Sequence, residues 1–213
     1  MHELTLHGYF RSSASYRVRI ALNLKRLEYR QVAHQLRLGE QHSPDYRRLN
    51  PQGLVPTLET GGAVLTQSLA ICEYLDELVP DPPLLPQGTI ERAHVRAFAQ
   101  VIACEIHPLQ NLRILNRLRD LGVDKDGVKA WAAGVIEEGF DACAALIEGQ
   151  AGPFCFGAQP TLADVFLVPQ LANARRFGAE LRWPRLLETE ARCLELPAFR
   201  DAAPERQPDA EVA

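Results

Sequence analysis

The chain has 213 residues and a formal net charge of −4, with 46% hydrophobic and 23% charged residues. This composition is ordinary for a globular protein with a sizeable core, and its acidic balance argues against nucleic-acid binding, which usually needs a basic surface. No run of about eighteen uncharged apolar residues occurs, and the opening MHELTLHGYF lacks the layout of a signal peptide, so we expect no membrane span.

The first eighty residues alternate between strand and helix patterns. The opening ELTLHGYF alternates as a half-buried strand does, and apolar residues recur at helical spacing from Ser15 onward. LEYRQVAHQL is a weaker strand candidate, and LVPTLETGGAVLTQS predicts two short strands joined by a turn at Gly61–Gly62. A further helix, LAICEYLDEL, follows with Ser68 as its predicted N-cap. We therefore predict a small α/β domain over residues 1–80.

A proline-rich stretch, VPDPPLLPQG, cannot continue a helix and predicts a stiff linker over residues 81–88. Beyond it, residues 89–213 show helical patterns and no strong strand signal. The first long helix contains Pro108, which predicts a kink, and a later helix has Thr161 as N-cap with Asp164 completing a capping box. The closing PERQPDAEVA is polar and is predicted to fray. The second domain is therefore predicted to be all-helical.

The five cysteines are an odd number, lie far apart and form no CxxC pair. This spacing predicts neither a disulfide framework nor a zinc site, so we expect no metal centre. Most of them lie within apolar helical patterns, where a cysteine behaves as a small core residue. A reducing, cytoplasmic setting fits this usage.

Three short segments carry hydroxyl, amide or proline residues at the start of an element. RSSAS starts the first helix, whose free N–H groups favour an anion or a thiolate, although capping by Ser13 or Ser15 would also explain the hydroxyls. TQSLA places Gln67 and Ser68 at the mouth of a later helix, where they could bind a carboxylate or merely cap. Val55–Pro56 starts a strand, either as an edge proline or as a cis turn. The residues alone leave these alternatives open.

Taken together, five segments resemble the zeta class of glutathione transferases, which includes the maleylacetoacetate and maleylpyruvate isomerases. These segments are RSSASYRVRIALNLK, NPQGLVPTLE, QSLAICEYLDE, TLADVFLVPQLANARRF and RQPD, and the resemblance runs from Leu4 to about Asp209. It implies an α/β + all-α fold, in which a thioredoxin-like N-terminal domain precedes an all-helical C-terminal domain. It also implies glutathione as cofactor and a homodimer.

The resemblance assigns roles to individual residues. Ser12 would hydrogen-bond the glutathione sulfur and favour its thiolate, with Ser13 in the same turn. The further glutathione contacts that it implies are Val55 before a cis Pro56 for the cysteinyl backbone, Gln67 and Ser68 for the γ-glutamyl carboxylate, and Gln41, His107 and Asn111. The basic residues that it places around the substrate are Arg11, Arg113 and Arg176, although each could instead be a solvated surface charge. Ala14 stands where many members carry cysteine, so a mechanism needing a protein thiol there cannot operate.

The implied reaction is a cis–trans isomerisation of a small dianion. Direct rotation about a C=C bond is prohibitively slow, whereas thiolate addition leaves a single bond that rotates easily before the thiolate is expelled. Cations are needed for the substrate carboxylate and for the charge that develops on its carbonyl, and arginine suits both because it binds carboxylates through two parallel hydrogen bonds. The expected substrate is maleylacetoacetate. The alternatives are maleylpyruvate, a general glutathione transferase or dehalogenase activity, and a non-catalytic binding module on the same fold.

Overall fold

The computed structural model describes residues 3–210, which form two compact units. The second unit is Leu84–Glu195, and the first comprises the described residues on either side of it. The chain therefore passes into the helical unit inside the predicted linker, whose boundaries remain a prediction. The residues after Glu195 pack with the first unit, whereas the sequence assigned them to the helical domain.

The first unit is built on a mixed four-stranded sheet. Its strands are β1 (Leu4–Gly8), β2 (Arg30–Ala33), β3 (Thr57–Thr60) and β4 (Ala63–Thr66), in the order β2-β1-β3-β4. Strand β1 pairs in parallel with β2 and antiparallel with β3, and β3 pairs antiparallel with β4. The predicted hairpin turn is confirmed at Gly61 and Gly62, whose φ angles of 54° and 84° favour glycine.

Three helices complete the part of the first unit that precedes the linker: α1 (Ser13–Leu24), α2 (Pro44–Leu49) and α3 (Ser68–Leu78). Helices α1 and α3 pack against each other. These two helices and the central strands contribute fully buried apolar side chains, among them Leu6, Ile20, Leu58 and Ile71. Burying a side chain of this size stabilises the fold by about 1.5–3 kcal/mol, so this core holds the starts of α1 and α3 in place.

The second unit consists of helices α4 (Thr89–Gln100), α5 (Leu112–Asp120), α6 (Lys125–Leu146), α7 (Leu162–Phe177) and α8 (Pro184–Glu195), with a π-helical segment, Val101–Ile106, directly after α4. Within its described residues the only β pairing is an isolated bridge between Phe154 and Gly157. No helix among residues 3–210 has the length and apolar character needed to cross a bilayer.

Two local predictions for the helical unit have different outcomes. The kink at Pro108 is wrong, because the helix ends in turns at residues 107–110 and α5 starts afresh after Asn111. A proline lacks the N–H that would continue the ladder, and the π-helical segment already interrupts it. The capping box is confirmed, since the Asp164 carboxylate accepts from Thr161 N at 2.7 Å and from Thr161 Oγ1 at 2.9 Å.

The end of the chain is ordered where fraying was predicted. Helix α9 (Pro197–Arg200) and a 3₁₀ turn at Pro204–Arg206 are followed by Gln207, whose buried amide donates to Asp201 O at 3.1 Å and Ala203 O at 2.9 Å. The prediction is therefore wrong for residues 204–210, and its last part, residues 211–213, lies outside the described residues. We call residues 196–210 the closing segment.

Candidate active site

The strand pairings place four loops of the first unit at one edge of its sheet. His7 pairs with Thr57, and Thr57 pairs with Thr66, so the end of β1 lies beside the start of β3 and the end of β4. Gly8 pairs with Ala33 in the parallel ladder, so β2 ends at the same edge. The connections that meet there carry Arg11 and Ser12 after β1, Gln41 after β2, Val55 and Pro56 before β3, and Gln67 and Ser68 after β4. We call this edge the loop edge.

Ser12 is the N-cap of α1. Its Oγ accepts from Ser15 N at 3.2 Å, and its N–H donates to Tyr9 O at 3.0 Å. The predicted capping by Ser13 or Ser15 is therefore wrong: both are buried inside the first turn, whereas Ser12 and Arg11 are half-buried. A hydroxyl oxygen that accepts a hydrogen bond keeps its own hydrogen for donation. Ser12 thus presents a donor at a helix N-terminus, where negative charge is favoured.

Ser68 is the first residue of α3 and not its N-cap, which is Gln67. The sequence missed this because Gln67 has φ 68° and ψ 116°, a conformation that non-glycine residues rarely adopt. The Gln67 side chain donates to Gln52 Oε1 at 2.9 Å. Backbone in such a sparsely populated region is held by its surroundings and is common at ligand sites.

A buried arginine joins the starts of two helices at this edge. Arg17 on α1 is 1% exposed, and its Nη1 donates to Ser68 Oγ at 3.3 Å. The two residues are 51 positions apart, so no local pattern could have paired them. This contact places positive charge beside the N-terminus of α3, where the residues were expected to hold a carboxylate.

The loop before β3 is shaped by hydrogen bonds to Leu54 O. The carbonyl accepts from Asn50 Nδ2 at 2.7 Å and from the Tyr46 hydroxyl at 2.6 Å, and Gln52 N donates to Asn50 Oδ1 at 3.0 Å. The Val55–Pro56 bond that follows is cis, which agrees with the form implied by the resemblance. The half-buried Val55 therefore follows a stretch of backbone that side chains hold in place at Leu54.

Gln41 lies against the same loop. Gly53 has φ +61°, and a Cβ added there would stand 3.0 Å from Gln41 O and 2.8 Å from His42 Nδ1, so only glycine permits this approach. Gln41 is buried, and its Nε2 donates to His42 Nε2 at 3.2 Å. Its Oε1 is buried and has no hydrogen-bond partner among the described residues. A buried acceptor of this kind fits an N–H group of a bound molecule.

A histidine pair that the sequence patterns do not predict lies beside this edge of the sheet, at the ends of β1 and β2. His7 Nδ1 lies 2.9 Å from His34 Nε2, and His7 Nε2 lies 2.6 Å from Glu59 Oε1. The His34 ring also packs against Tyr46, with ring centroids 4.4 Å apart. Burial, and then the neighbouring His7, lower the pKa of His34 below its ordinary value. The only signal in the sequence is a histidine at the end of each of two parallel strands, which does not by itself predict a pair.

The remaining predicted site residues belong to the second unit. Asn111 caps α5 by accepting from Arg113 N at 3.3 Å, and its Nδ2 lies 3.2 Å from His107 Nε2, so the structure brings these three residues together. Arg176 is exposed in the last turn of α7, with its guanidinium 4.7 Å from the centre of the Phe177 ring.

The neighbouring Arg175 has a structural role. Its guanidinium makes a bidentate ion pair with the Glu190 carboxylate, with N–O distances of 2.6 Å and 2.5 Å. One arginine of the NARRF motif is therefore committed to holding α7 against α8, which leaves Arg176 as the substrate candidate.

The protein's own thiols do not supply a thiolate at the loop edge. Ala14 contributes none to the Ser12 turn, and burial raises the pKa of Cys72 to about 12. In the second unit, burial likewise raises the pKa of Cys143 to about 12 and that of Cys155 well above its ordinary value. Cys104, on the π-helical segment, is the exposed cysteine. The first unit, whose one cysteine is the buried Cys72, therefore has no thiol of its own suited to supply a thiolate at the loop edge.

Comparison with known proteins identifies the relatives of this architecture. Residues 6–83 match the family model of the glutathione S-transferase N-terminal domain, and residues 125–188 match that of the C-terminal domain. A probable maleylacetoacetate isomerase of Vibrio cholerae serotype O1 is 49% identical over 99% of this chain and 100% of its own length. The predicted family and fold are confirmed.

Two solved structures are similar over nearly their whole length. The holo structure of a maleylpyruvate isomerase, a bacterial zeta-class glutathione transferase, has a TM-score of 0.95 at 46% identity and covers 97% of this chain and 100% of its own. The maleylacetoacetate isomerase of Anaeromyxobacter dehalogenans, solved with glutathione in its active site, has a TM-score of 0.90 at 41% identity, with 99% of each chain covered.

Proposed function

The chain belongs to the zeta class of the glutathione transferase family, and on this premise we propose that it is a glutathione-dependent cis–trans isomerase that converts maleylacetoacetate to fumarylacetoacetate. The observation that carries the proposal is the position of Ser12. Its half-buried hydroxyl caps α1 at the loop edge, in a turn whose neighbour Ala14 brings no thiol of its own.

The residues of the loop edge fit glutathione. The unpartnered Gln41 Oε1 accepts an N–H of the tripeptide, and the Val55 backbone pairs with its cysteinyl residue. The start of α3, with Gln67, Ser68 and the buried Arg17 beside it, suits the γ-glutamyl carboxylate because free N–H groups and a cation favour an anion there. Ser13, His107 and Asn111 complete the proposed set.

Bound glutathione supplies the thiolate whose reversible addition makes the substrate's double bond rotatable. Ser12 holds that sulfur by donating its hydroxyl hydrogen, because the oxygen already accepts from Ser15 N and leaves the hydrogen for this use. A donor at a helix N-terminus favours the charged sulfur and lowers the thiol pKa below its free value of about 8.5.

The family resemblance supports three arginines as partners of the substrate dianion and of the negative charge that develops on its carbonyl oxygen. Arg11 is half-buried and directly precedes Ser12, so it is the arginine nearest in sequence to the residue proposed to hold the sulfur. Arg113 and Arg176 are exposed and belong to the second unit. A guanidinium stays charged at every physiological pH and pairs with carboxylates through two hydrogen bonds, which suits a substrate with two negative charges.

Maleylpyruvate is the second candidate substrate, because the similar holo structure at 46% identity is a maleylpyruvate isomerase. The test supplies each cis acid with catalytic glutathione and follows the ultraviolet change. A kcat/KM for maleylacetoacetate above that for maleylpyruvate supports the proposal, and the reverse order assigns the enzyme to the shorter acid. If neither acid is isomerised, the isomerase proposal is wrong.

The protein acts as a homodimer in the cytoplasm. Membership of the family supports the dimer, and five free cysteines, four of them buried, support the reducing compartment. Light scattering of the purified protein should give twice the monomer mass of 23.7 kDa, and a monomer mass would contradict the proposed assembly.

A further inference from the structure

The closing segment reaches back to the turn that carries Ser12. Phe10 lies two residues before Ser12, and its N–H donates to Asp209 Oδ2 at 2.9 Å, across a separation of 199 residues. The Phe10 carbonyl accepts from Arg19 Nη2 at 3.1 Å. Both backbone polar groups of this one residue are therefore held by side chains and not by the sheet.

Arg19, which donates to the Phe10 carbonyl, also contacts the closing segment. It is 1% exposed, and its Nε donates to Ala202 O at 2.9 Å. Burial lowers the pKa of Arg19 to about 10, against the opposing influence of Tyr29, Asp209, Tyr16 and Glu205, so the guanidinium is charged at neutral pH. The two carboxylates that favour this buried charge, Asp209 and Glu205, thus lie on the closing segment, which also binds the Phe10 N–H.

The Asp209 carboxylate is fixed through both of its oxygens. While Oδ2 accepts from Phe10 N, Oδ1 accepts from Gln31 Nε2 at 3.0 Å, and Gln31 belongs to β2. The carboxylate therefore bridges the turn after β1 and the neighbouring parallel strand. Its position is set by two independent partners, and it can in turn set the position of the Phe10 peptide.

The closing segment has other anchors on α1 that do not involve Asp209. The Tyr16 hydroxyl donates to Phe199 O at 3.2 Å, and Asn23 Nδ2 donates to Ala198 O at 3.0 Å. The buried Phe199 adds apolar contact. Removing the charge of Asp209 should therefore leave the segment docked and affect chiefly the turn.

We propose that Asp209 is a positioning residue for Ser12, which it aligns by clamping the Phe10 peptide. This inference rests on the proposed function, because it assigns Asp209 a role in presenting the Ser12 hydroxyl to the glutathione thiol. Ser12 N donates to Tyr9 O, so Phe10 lies inside the same hydrogen-bonded turn, and a rotated Phe10 peptide shifts the Ser12 side chain. A displacement of about 1 Å at such a site can cost about a hundredfold in rate.

The test replaces Asp209 by asparagine, which keeps the shape of the side chain but loses the charge that strengthens its bond to Phe10 N. The readout is the ultraviolet titration of the thiol of bound glutathione, together with the pH profile of isomerisation. In Asp209→Asn we expect a rise of about one unit in the bound thiol's pKa, which lowers the thiolate fraction and the rate by up to about tenfold at pH values below that pKa. At high pH, where the thiol is ionised anyway, activity should approach that of the unmodified enzyme.

Two further variants separate positioning from stability. Asp201→Asn removes an exposed carboxylate from the same segment, where it contacts Arg200 and Arg206, and should leave the thiol's pKa unchanged. Asp209→Glu restores the charge and should recover part of the lost shift. An Asp209→Asn protein that fails to fold, or that loses stability with an unaltered thiol pKa, would show that Asp209 is structural only and overturn the proposal.

These measurements also distinguish a failure of the Asp209 role from a failure of the proposed function on which it rests. If the unmodified protein neither binds glutathione nor isomerises either acid, the proposed function fails and the positioning role fails with it. If the unmodified protein lowers the pKa of the bound thiol and Asp209→Asn does so equally, the function stands and only the role of Asp209 is refuted.

Discussion

Arg17 donates a hydrogen bond to Ser68 across 3.3 Å, and this contact joins the second turn of α1 to the first residue of α3. Arg17 is almost fully buried, so its charge acts in a poorly screened environment. The proposed carboxylate site at the start of α3 therefore combines free backbone N–H groups, a hydroxyl and a nearby guanidinium.

Arg17→Lys tests the importance of this contact for glutathione binding. Lysine keeps the charge but loses the planar fork that reaches Ser68, and hydrogen bonds to charged groups contribute about 1.5–3 kcal/mol. We expect the KM for glutathione to rise about tenfold or more, measured by steady-state kinetics. Arg175→Lys, which alters an arginine ion-paired with Glu190 in the second unit, is the matched control and should leave this KM unchanged.

Ser12→Ala tests the proposed sulfur contact. Losing the hydroxyl should raise the pKa of the bound glutathione thiol toward its free value of about 8.5, and losing the N-cap should lower the free energy of unfolding by about 1 kcal/mol. Ultraviolet titration and chemical denaturation measure the two effects. Ser15→Ala is the control, because it removes a buried neighbouring hydroxyl that does not cap the helix. If the pKa of the bound thiol rises equally in Ser15→Ala, the proposed contact between Ser12 and the sulfur is wrong.

Gln67 offers a matched pair of substitutions that separates stability from binding. Gln67→Gly and Gln67→Ala both delete the proposed carboxylate contact, but only glycine relaxes the backbone at φ 68°. We expect both variants to bind glutathione more weakly and the glycine variant to be more stable than the alanine variant by about 1 kcal/mol. Calorimetric binding and thermal unfolding report the two quantities. Undiminished binding in both variants would refute the assigned contact.

The environment of His34 should lower the free energy of unfolding in mild acid. Its pKa is lowered in the folded protein by burial and by His7, so the unfolded chain binds a proton that the folded chain resists. Stability from this neutral histidine is present above the ordinary value of about 6.5 and is lost as the pH falls through the folded pKa. The groups that face it are His7, Glu40 and Tyr46.

The measurement compares the free energy of unfolding at pH 7.5 and at pH 5.5. The unmodified protein should lose more stability over this interval than His34→Gln, which has no proton to gain. Equal losses in the two proteins would show that His34 does not contribute to the pH dependence.

The sequence patterns predicted those parts of the fold that depend on neighbouring residues. The strand β1, the glycine turn between β3 and β4 and the capping box at Thr161 are local, and all three are confirmed. The half-burial that the alternation of β1 predicted is wrong, because every residue of Leu4–Gly8 is buried. Ser68 was assigned as a cap because its chemistry suits one, but the positive φ of Gln67 moves the cap by one residue. That backbone conformation depends on packing, which a propensity argument does not contain.

Contacts between distant residues account for the other differences. The tail was expected to fray because it is polar, yet Asp209 bonds to Phe10 from the far end of the chain. The Arg17–Ser68 contact and the His7–His34 pair likewise join residues that only the folded chain brings together. The site residues themselves came from the family resemblance, and their roles remain predictions until variants are measured.

In the proposed reaction glutathione acts as a cofactor, and the enzyme releases it unchanged. The direct test gives the enzyme the cis acid in large excess over glutathione and then quantifies the trans product and free glutathione at the end of the reaction. An isomerase of this kind should give many equivalents of trans acid with the free glutathione undiminished. Consumption of one glutathione for each product molecule, or conversion that stops at one equivalent, would contradict the proposed reaction.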